Sequence, residues 1–288
     1  MSDVKVAILP VAGFGTRVLP ATKSIPKEML PIVDRPAIQY VVDEALEAGI
    51  EHIVFVTGRN KGAIEDYFDA NYELEEALER KKKTEILEML QKMRLPASAS
   101  TFTRQQSALG LGHAVWCAKA VAGNSPVAVL LPDVIIKSEK SCLAQMMEAY
   151  DEVGGNIIAV DAVPEDEVSK YGVIAPKSRN GKLIEMTGMV EKPAKEDAPS
   201  NLKITGRYIL QPEIFYLLED QGPGAGNEIQ LTDAMERLMK SQQFFAFEYD
   251  GKDYDCGSIP GYFEAVFAHA AEHPQTAELV KKLAADLA

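Results

Sequence analysis

Chemistry-capable residues gather first in residues 4–31, VKVAILPVAGFGTRVLPATKSIPKEMLP. The apolar run Val4 to Leu9 reads as a buried parallel strand, and it breaks into Gly13-Phe14-Gly15-Thr16-Arg17. Val4 to Lys27 holds no Asp or Glu and four cations, Lys5, Arg17, Lys23 and Lys27, in a chain with 43 acids against 30 Lys+Arg. A strand leading into glycines and then cations suits a polyphosphate: glycine lets backbone N–H groups approach an anion, and Arg and Lys neutralise it. The pattern is not GxGxxG, which would need glycine at Val18, and no GxxxxGK[ST] loop occurs.

Two carboxylates stand at strand ends. Asp133 follows the apolar run VAVLLP, and Asp255 sits between Tyr254 and Cys256-Gly257. Such a carboxylate can hold Mg²⁺ against substrate phosphates, or it can merely cap a turn. Glu191-Lys192-Pro193 follows another strand and reads either as a solvated pair or as part of a site. Gln105-Gln106, before Gly110 and Gly112, could meet a nucleobase edge, because an amide both donates and accepts. Cys256 reads as a packed small residue, with no histidine near it in sequence. His52, His113, His269 and His273 lack ligand spacing and read as structural or surface groups. No GxSxG elbow occurs, which disfavours a hydrolase nucleophile.

The elements that must position these residues alternate. VKVAIL (4–9) and HIVFVT (52–57) read as strands, with a helix, AIQYVVDEALEAG, between them. Its apolar positions Ile38, Val41, Val42, Ala45 and Leu46 recur at helical spacing, and Gly49 stops it. This βαβ unit predicts a parallel sheet. A helix is expected at about 61–68, and a charged helical insert at about 71–94 with an incomplete apolar stripe. TFTR (101–104) reads as a strand, AVWCAKAVA as a helix, and VAVLLPDVII (127–136) as one central strand. IIAVDAV, a hairpin turning at Arg179-Asn180-Gly181, KITGRYIL, the helix LTDAMERLM and the strand FFAFEY follow. Helices at about 259–286 close the chain. The expected fold is α/β, Rossmann-like, with a mixed, mostly parallel central sheet flanked by helices, and residues 1–288 form a single domain.

Bulk properties narrow the partners. Hydrophobic content of 47% and charged content of 25% over 288 residues are globular values. A net charge of −13 argues against nucleic acid as a partner. No apolar run approaches the roughly 20 residues of a membrane span, and MSDVKVAILP lacks a signal-peptide layout. Three cysteines without CxxC suit a reduced compartment, so the expectation is a cytoplasmic protein with no membrane partner.

Taken together and in order, GFGTR, PKEMLP, the Gln-Gly loop, LLPD, YGV, VEKP and DCG resemble the sugar nucleotidyltransferases, from residue 4 to about 265. ATKSIPKEMLPIVDRPAIQYVVDEA, QQSALGLGHAV, the insert at 71–94, KYGVIAP and GNEIQLTDA resemble the uridylyl-transferring members. The resemblance implies a reaction of UTP with glucose 1-phosphate, giving UDP-glucose and pyrophosphate, with Mg²⁺ as cofactor. It implies that Ala12, Gly13, Gly15, Gln105 and Gly110 bind the nucleotide, and that Arg17 and Lys27 hold the triphosphate and the leaving pyrophosphate. Asp133 and Asp255 would hold the metal. Gly172, Glu191, Lys192, Gly206 and Glu228 would bind the sugar phosphate, with Glu191 on hydroxyls and Lys192 on phosphate. One departure is Val134, where relatives often carry a second polar residue after the aspartate. The family also implies a homodimer or homotetramer. The rival expectations are a thymidylyl-transferring member, or a non-catalytic nucleotide or sugar-phosphate sensor of the same fold.

Overall fold

The structure, a computed structural model, describes residues 3–287. Strand β1 (Val6–Pro10) leads through three short 3₁₀ turns and the small hairpin β2 (Pro31–Ile32) and β3 (Arg35–Pro36) into α1 (Ala37–Glu47). Then come β4 (His52–Thr57), α2 (Gly62–Phe68), α3 (Tyr72–Arg80), α4 (Thr84–Met93), β5 (Ser100–Arg104), α5 (Leu111–Trp116) and α6 (Lys119–Ala122). The middle of the chain is β6 (Val127–Leu130), β7 (Val134–Lys137), α7 (Cys142–Val153), β8 (Asn156–Ala162), β9 (Gly172–Asn180), β10 (Leu183–Glu191) and β11 (Leu202–Leu210). It ends with α8 (Ile214–Glu219), α9 (Leu231–Met239), β12 (Phe244–Glu248), β13 (Lys252–Asp255), α10 (Ile259–Ala270) and α11 (Ala277–Leu287).

Nine strands form one sheet in the order β5-β4-β1-β6-β11-β8-β12-β10-β9. Pairings β5–β4, β4–β1, β1–β6 and β8–β12 are parallel. Only β11 and β10 run against the rest, so seven of these nine strands share one direction, as the alternating pattern predicts. Successive side chains of a strand point to opposite faces. Ile8, Val54, Val56, Val127 and Val129 therefore pack on the side of α5, α8 and α9. Ala7, Leu9, Ile53, Phe55, Ala128 and Leu130 pack against α1, α2 and α7. Burial on both faces explains the unbroken apolar runs. Each fully buried Val, Leu or Ile contributes about 1.5–3 kcal/mol.

The expected single strand at 127–136 is two. Pro132 has no N–H to donate to a ladder, and the chain turns there, with Val134 N donating to Leu131 O at 3.2 Å. β6 stays in the large sheet, while β7 leaves to pair antiparallel with β13. AVWCAKAVA is likewise two short helices, α5 beginning earlier at Leu111. Leu46 lies about 80° round α1 from Ile38 at 100° per residue and is exposed, unlike the other four expected positions. α7 and α8 have no counterpart in the sequence reading. Ser141 caps α7, accepting from Ala144 N, and Cys142, Leu143, Met146 and Met147 form its buried face. In the insert, α3 buries Leu78 alone and α4 buries nothing. Among the described residues no helix is long and apolar enough to cross a membrane.

Candidate active site

The loop after β1 is shaped by glycine. Gly15 has φ 66° and its carbonyl accepts from Thr22 Oγ1 at 2.7 Å. The three 3₁₀ turns fold the basic stretch back over the ends of β6 and β13. There Lys27 Nζ lies 2.5 Å from Asp133 Oδ2, and Arg17 Nη2 lies 3.6 Å from the same oxygen. Arg17 Nη1 is 3.2 Å from Asp255 Oδ2. The aspartates are 122 residues apart in sequence. The β7–β13 ribbon joins them, with Asp255 opposite Val134 and Cys256 N donating to Asp133 O at 2.7 Å.

These groups face one small volume. A Cβ built on Gly257 would lie 2.8 Å from Asp133 Oδ2, 2.9 Å from Asp255 Oδ1 and 2.5 Å from Arg17 Nη2. Two hard carboxylate oxygens thus converge where only a glycine leaves room. That donor set fits a hard dication whose remaining ligands are water and phosphate oxygens. Among the described residues no cluster of three or more His, Cys, Asp or Glu exists to cage a metal outright. Burial pushes the Asp133 carboxyl up, but the charge and hydrogen bond of Lys27, helped by Arg17, hold it below the usual range. Burial lowers Lys27, and Asp133 and Glu28 more than offset it, leaving the ammonium raised. Both groups are therefore charged at neutral pH.

Beside the aspartates opens a cavity of about 540 Å³, whose lining includes Arg17, Asp133, Asp255, Gly172, Glu191, Lys192 and Gly206. Every sugar-phosphate candidate except Glu228 is there. Glu191 Oε2 accepts from Thr232 Oγ1 at 2.9 Å, which fixes the carboxylate at the wall. Lys192 adopts φ 48°, unusual for a non-glycine residue, and its N–H donates to Tyr171 O at 3.0 Å. Gly206, at φ 76°, packs so closely on Leu131 that a Cβ would lie 2.8 Å from it. Glu228 instead lies against Gly110, and its Oε2 accepts from Gln230 Nε2 at 3.2 Å. The cavity also holds Lys203 and Thr205, which sequence reasoning missed. Lys203 Nζ is 2.6 Å from Asp253 Oδ2 and 5.0 Å from the centre of the Tyr171 ring. The i, i+2 spacing of Lys203 and Thr205 within an apolar strand was the available signal. A larger cavity of about 670 Å³, between α7 and the β9–β10 turn, contains none of the sequence candidates.

Of the nucleotide candidates, Ala12, Gly13 and Gly15 lie in the loop after β1, and Gln105 and Gly110 in the loop after β5. Gln105 N extends the sheet ladder to Thr57 O at 2.8 Å. Gln105 Nε2 donates to Gly110 O at 3.0 Å and meets His113 Nδ1 at 3.0 Å. Burial lowers His113, which favours a neutral ring able to accept at Nδ1. Both amide hydrogens are thereby used inside the loop, and the carbonyl oxygen remains to accept a hydrogen bond. Gly110 has φ 106°, and a Cβ there would lie 2.7 Å from Glu228 Cβ and 2.8 Å from Ile229 O. Ile229 N donates to Leu109 O and Gly112 N to Ile229 O, pinning this loop to residues 228–230. His113 thus joins the candidate site through Gln105. His52 and His269 are structural, bonded to Ser98 O and Ala265 O.

A family model for nucleotidyl transferases matches residues 6–272. The chain is similar to the UTP–glucose-1-phosphate uridylyltransferase of Bacillus subtilis (strain 168), at 50% identity over 272 residues, covering 94% of this chain and 93% of that protein. A solved UTP-bound UGPase from Acinetobacter baumannii is 46% identical with a TM-score of 0.91, over 99% of this chain and all of that one. A UDP-glucose pyrophosphorylase solved in complex with UDP-glucose is 45% identical with a TM-score of 0.86, over 94% of this chain and all of that one.

Proposed function

The chain belongs to the nucleotidyl transferase family, and we propose that it joins UTP to glucose 1-phosphate, giving UDP-glucose and pyrophosphate. The observation that carries this is the convergence of Arg17, Lys27, Asp133 and Asp255 at the mouth of a cavity walled by Glu191 and Lys192. Relatives at about half identity carry the uridylyl activity in their names, which sets the thymidylyl reading aside.

In this reading an oxygen of the sugar phosphate attacks the α-phosphorus of UTP in line, and pyrophosphate leaves opposite. The attacking phosphate is already ionised near neutral pH, so no side chain must act as general base. Catalysis is alignment of two polyanions and neutralisation of their charge. Lys192 positions the nucleophile, and Glu191, braced by Thr232, takes sugar hydroxyls. Arg17 and Lys27 exchange carboxylate partners for the oxygens of the leaving pyrophosphate. Asp133 and Asp255 are the residues that would hold Mg²⁺, which when bound screens the repulsion and polarises the α-phosphate. The Gln105 carbonyl accepts the N3–H of uracil. Cytosine has no hydrogen there, so CTP should be rejected about 10⁴-fold or more, while dTTP differs by one methyl and should lose only about 10- to 200-fold.

The test is pyrophosphate release by the purified protein with Mg²⁺ and glucose 1-phosphate, comparing UTP, dTTP, ATP, CTP and GTP. Release that needs both sugar phosphate and metal, fastest with UTP, supports the reading. A folded protein that binds UTP yet releases nothing removes it.

The chain acts as one domain, and we place it in the cytoplasm, a reducing compartment that suits free Cys117, Cys142 and Cys256; cell fractionation checks this. A homodimer or homotetramer is supported by exposed stripes at four-residue spacing, Ile259, Phe263 and Phe267 on α10 and Leu279, Leu283 and Leu287 on α11. Sedimentation should give a multiple of the 31.5 kDa chain, and Phe263→Glu should lower it. A wild-type monomer at working concentration would sink this assignment.

A further inference from the structure

Arg207 is fully buried in β11, at the sheet's centre, beside Gly206 and the register shift of that strand. All of its guanidinium nitrogens donate. Nε and Nη2 pair with Glu44 of α1 at 2.8–3.1 Å. Nη1 reaches Leu131 O at 3.1 Å and Gly206 O at 3.2 Å, and Nη2 reaches Val134 O at 2.7 Å. Leu131 and Val134 are the two residues that bracket Pro132-Asp133. One planar cation therefore grips the backbone on both sides of the aspartate read as the metal ligand. Pro132 donates nothing, so within the turn only the Val134 N to Leu131 O bond closes it; from outside, Cys256 N holds Asp133 O and Arg207 holds the carbonyls on either side.

An apolar pair of similar volume is often as stable as a buried ion pair. Stability alone gives no reason to keep charge at this point. Geometry does, because five donors in a rigid fork can hold three carbonyls and a carboxylate at once, whereas an ammonium cannot. Glu44 also accepts from Leu143 N at 3.0 Å, tying the fork to the start of α7 and to α1 at once.

We propose that Arg207, oriented by Glu44, is a positioning residue for the reaction: it sets the Pro132-Asp133 turn so that the Asp133 carboxylate meets Asp255 at the cation position. This rests on the reading of Asp133 as a metal ligand. Arg207 touches no reacting atom, so its effect falls first on metal affinity and kcat.

Removing one partner alone leaves a buried charge, and the variant would test folding. The informative variant is Arg207→Met with Glu44→Leu, accompanied by Arg207→Lys. Folding is followed by circular dichroism, and Mn²⁺ binding by electron paramagnetic resonance at fixed UTP without the sugar phosphate. Outer partners of metal ligands are typically worth 10- to 100-fold in affinity. The double variant should melt cooperatively, bind Mn²⁺ about 10-fold or more weakly, and lose kcat in proportion. Arg207→Lys should fall between it and the wild type. Asp133→Asn serves as the reference. If Asp133→Asn loses Mn²⁺ while a folded Arg207 variant binds it as the wild type does, the positioning role is wrong. If Asp133→Asn itself binds normally, the metal-ligand reading fails and takes the proposal with it.

Discussion

Arg17 and Lys27 each face two demands, one from the aspartates they now pair with and one from the phosphates assigned to them. Lys27 and Asp133 are each about 15% exposed at the side chain, so their pairing is scarcely screened. Arg17 is 62% exposed and its two contacts are longer, which leaves it the freer of the two to move to a leaving group. We predict that Arg17→Ala and Lys192→Ala fold normally and lose roughly 10² or more in kcat, the scale of removing one transition-state donor. Steady-state kinetics on folded variants check this, and near-normal turnover would remove that residue from the scheme. The legible part of the candidate site was the part whose residues stand at strand ends or in the loops beyond them: Arg17, Lys27, Asp133, Glu191, Lys192 and Asp255. Lys203, whose spacing with Thr205 was its one signal, and Arg207, which had none, lie inside KITGRYIL, where an apolar pattern predicts core. A buried cation is recognisable only from the carboxylate it meets, here Asp253 and Glu44, which are distant in sequence. His113 was dismissed for lack of ligand spacing, and its contact is with an amide rather than a metal.

Two loops that the sequence separates by more than a hundred residues behave as one element. Residues 105–112 and 228–230 share three close approaches at Gly110 and backbone bonds at Leu109 and Gly112. Gly110→Ala therefore carries two penalties, a left-handed φ and a Cβ driven into Ile229 O. Backbone strain of this kind costs of order 1–3 kcal/mol. The expected result is a lowered melting temperature and a raised KM for UTP, with the sugar-phosphate KM changed less. A variant with unchanged UTP binding would separate this loop from the nucleotide. The central strands β1, β4 and β6 were legible for the same reason that they pack: both faces are buried, so the runs are apolar throughout. The split at Pro132 was not, since the run continues across the proline and only the pairing of β7 with β13 reveals the break. β13 itself, KDYD, offers no strand signal beyond its ladder with β7.

Across the molecule, burial is uneven. The sheet and its two helical layers hold nearly all of the fully buried apolar side chains, while the insert holds almost none. α3 is fixed by Leu78, and an Arg94–Glu75 ion pair ties the two insert helices together. Lys82, at φ 54°, forms the corner between them, flanked by Lys81 and Lys83, all exposed. Local opening free energy follows buried contact, so this helical pair should open long before the sheet does. Limited trypsin digestion should make its first cut after one of these three lysines. β5, on the far side of the cut, is paired to β4 over five residues, so the nicked chain should stay in one piece and keep its turnover. First cleavage in the basic loop at Arg17 or Lys23 would show the opposite order, with the active site the first part to open. In the expected order, the molecule carries an easily opened segment that holds none of the residues assigned to its chemistry, and a protease could sever the chain there without silencing it.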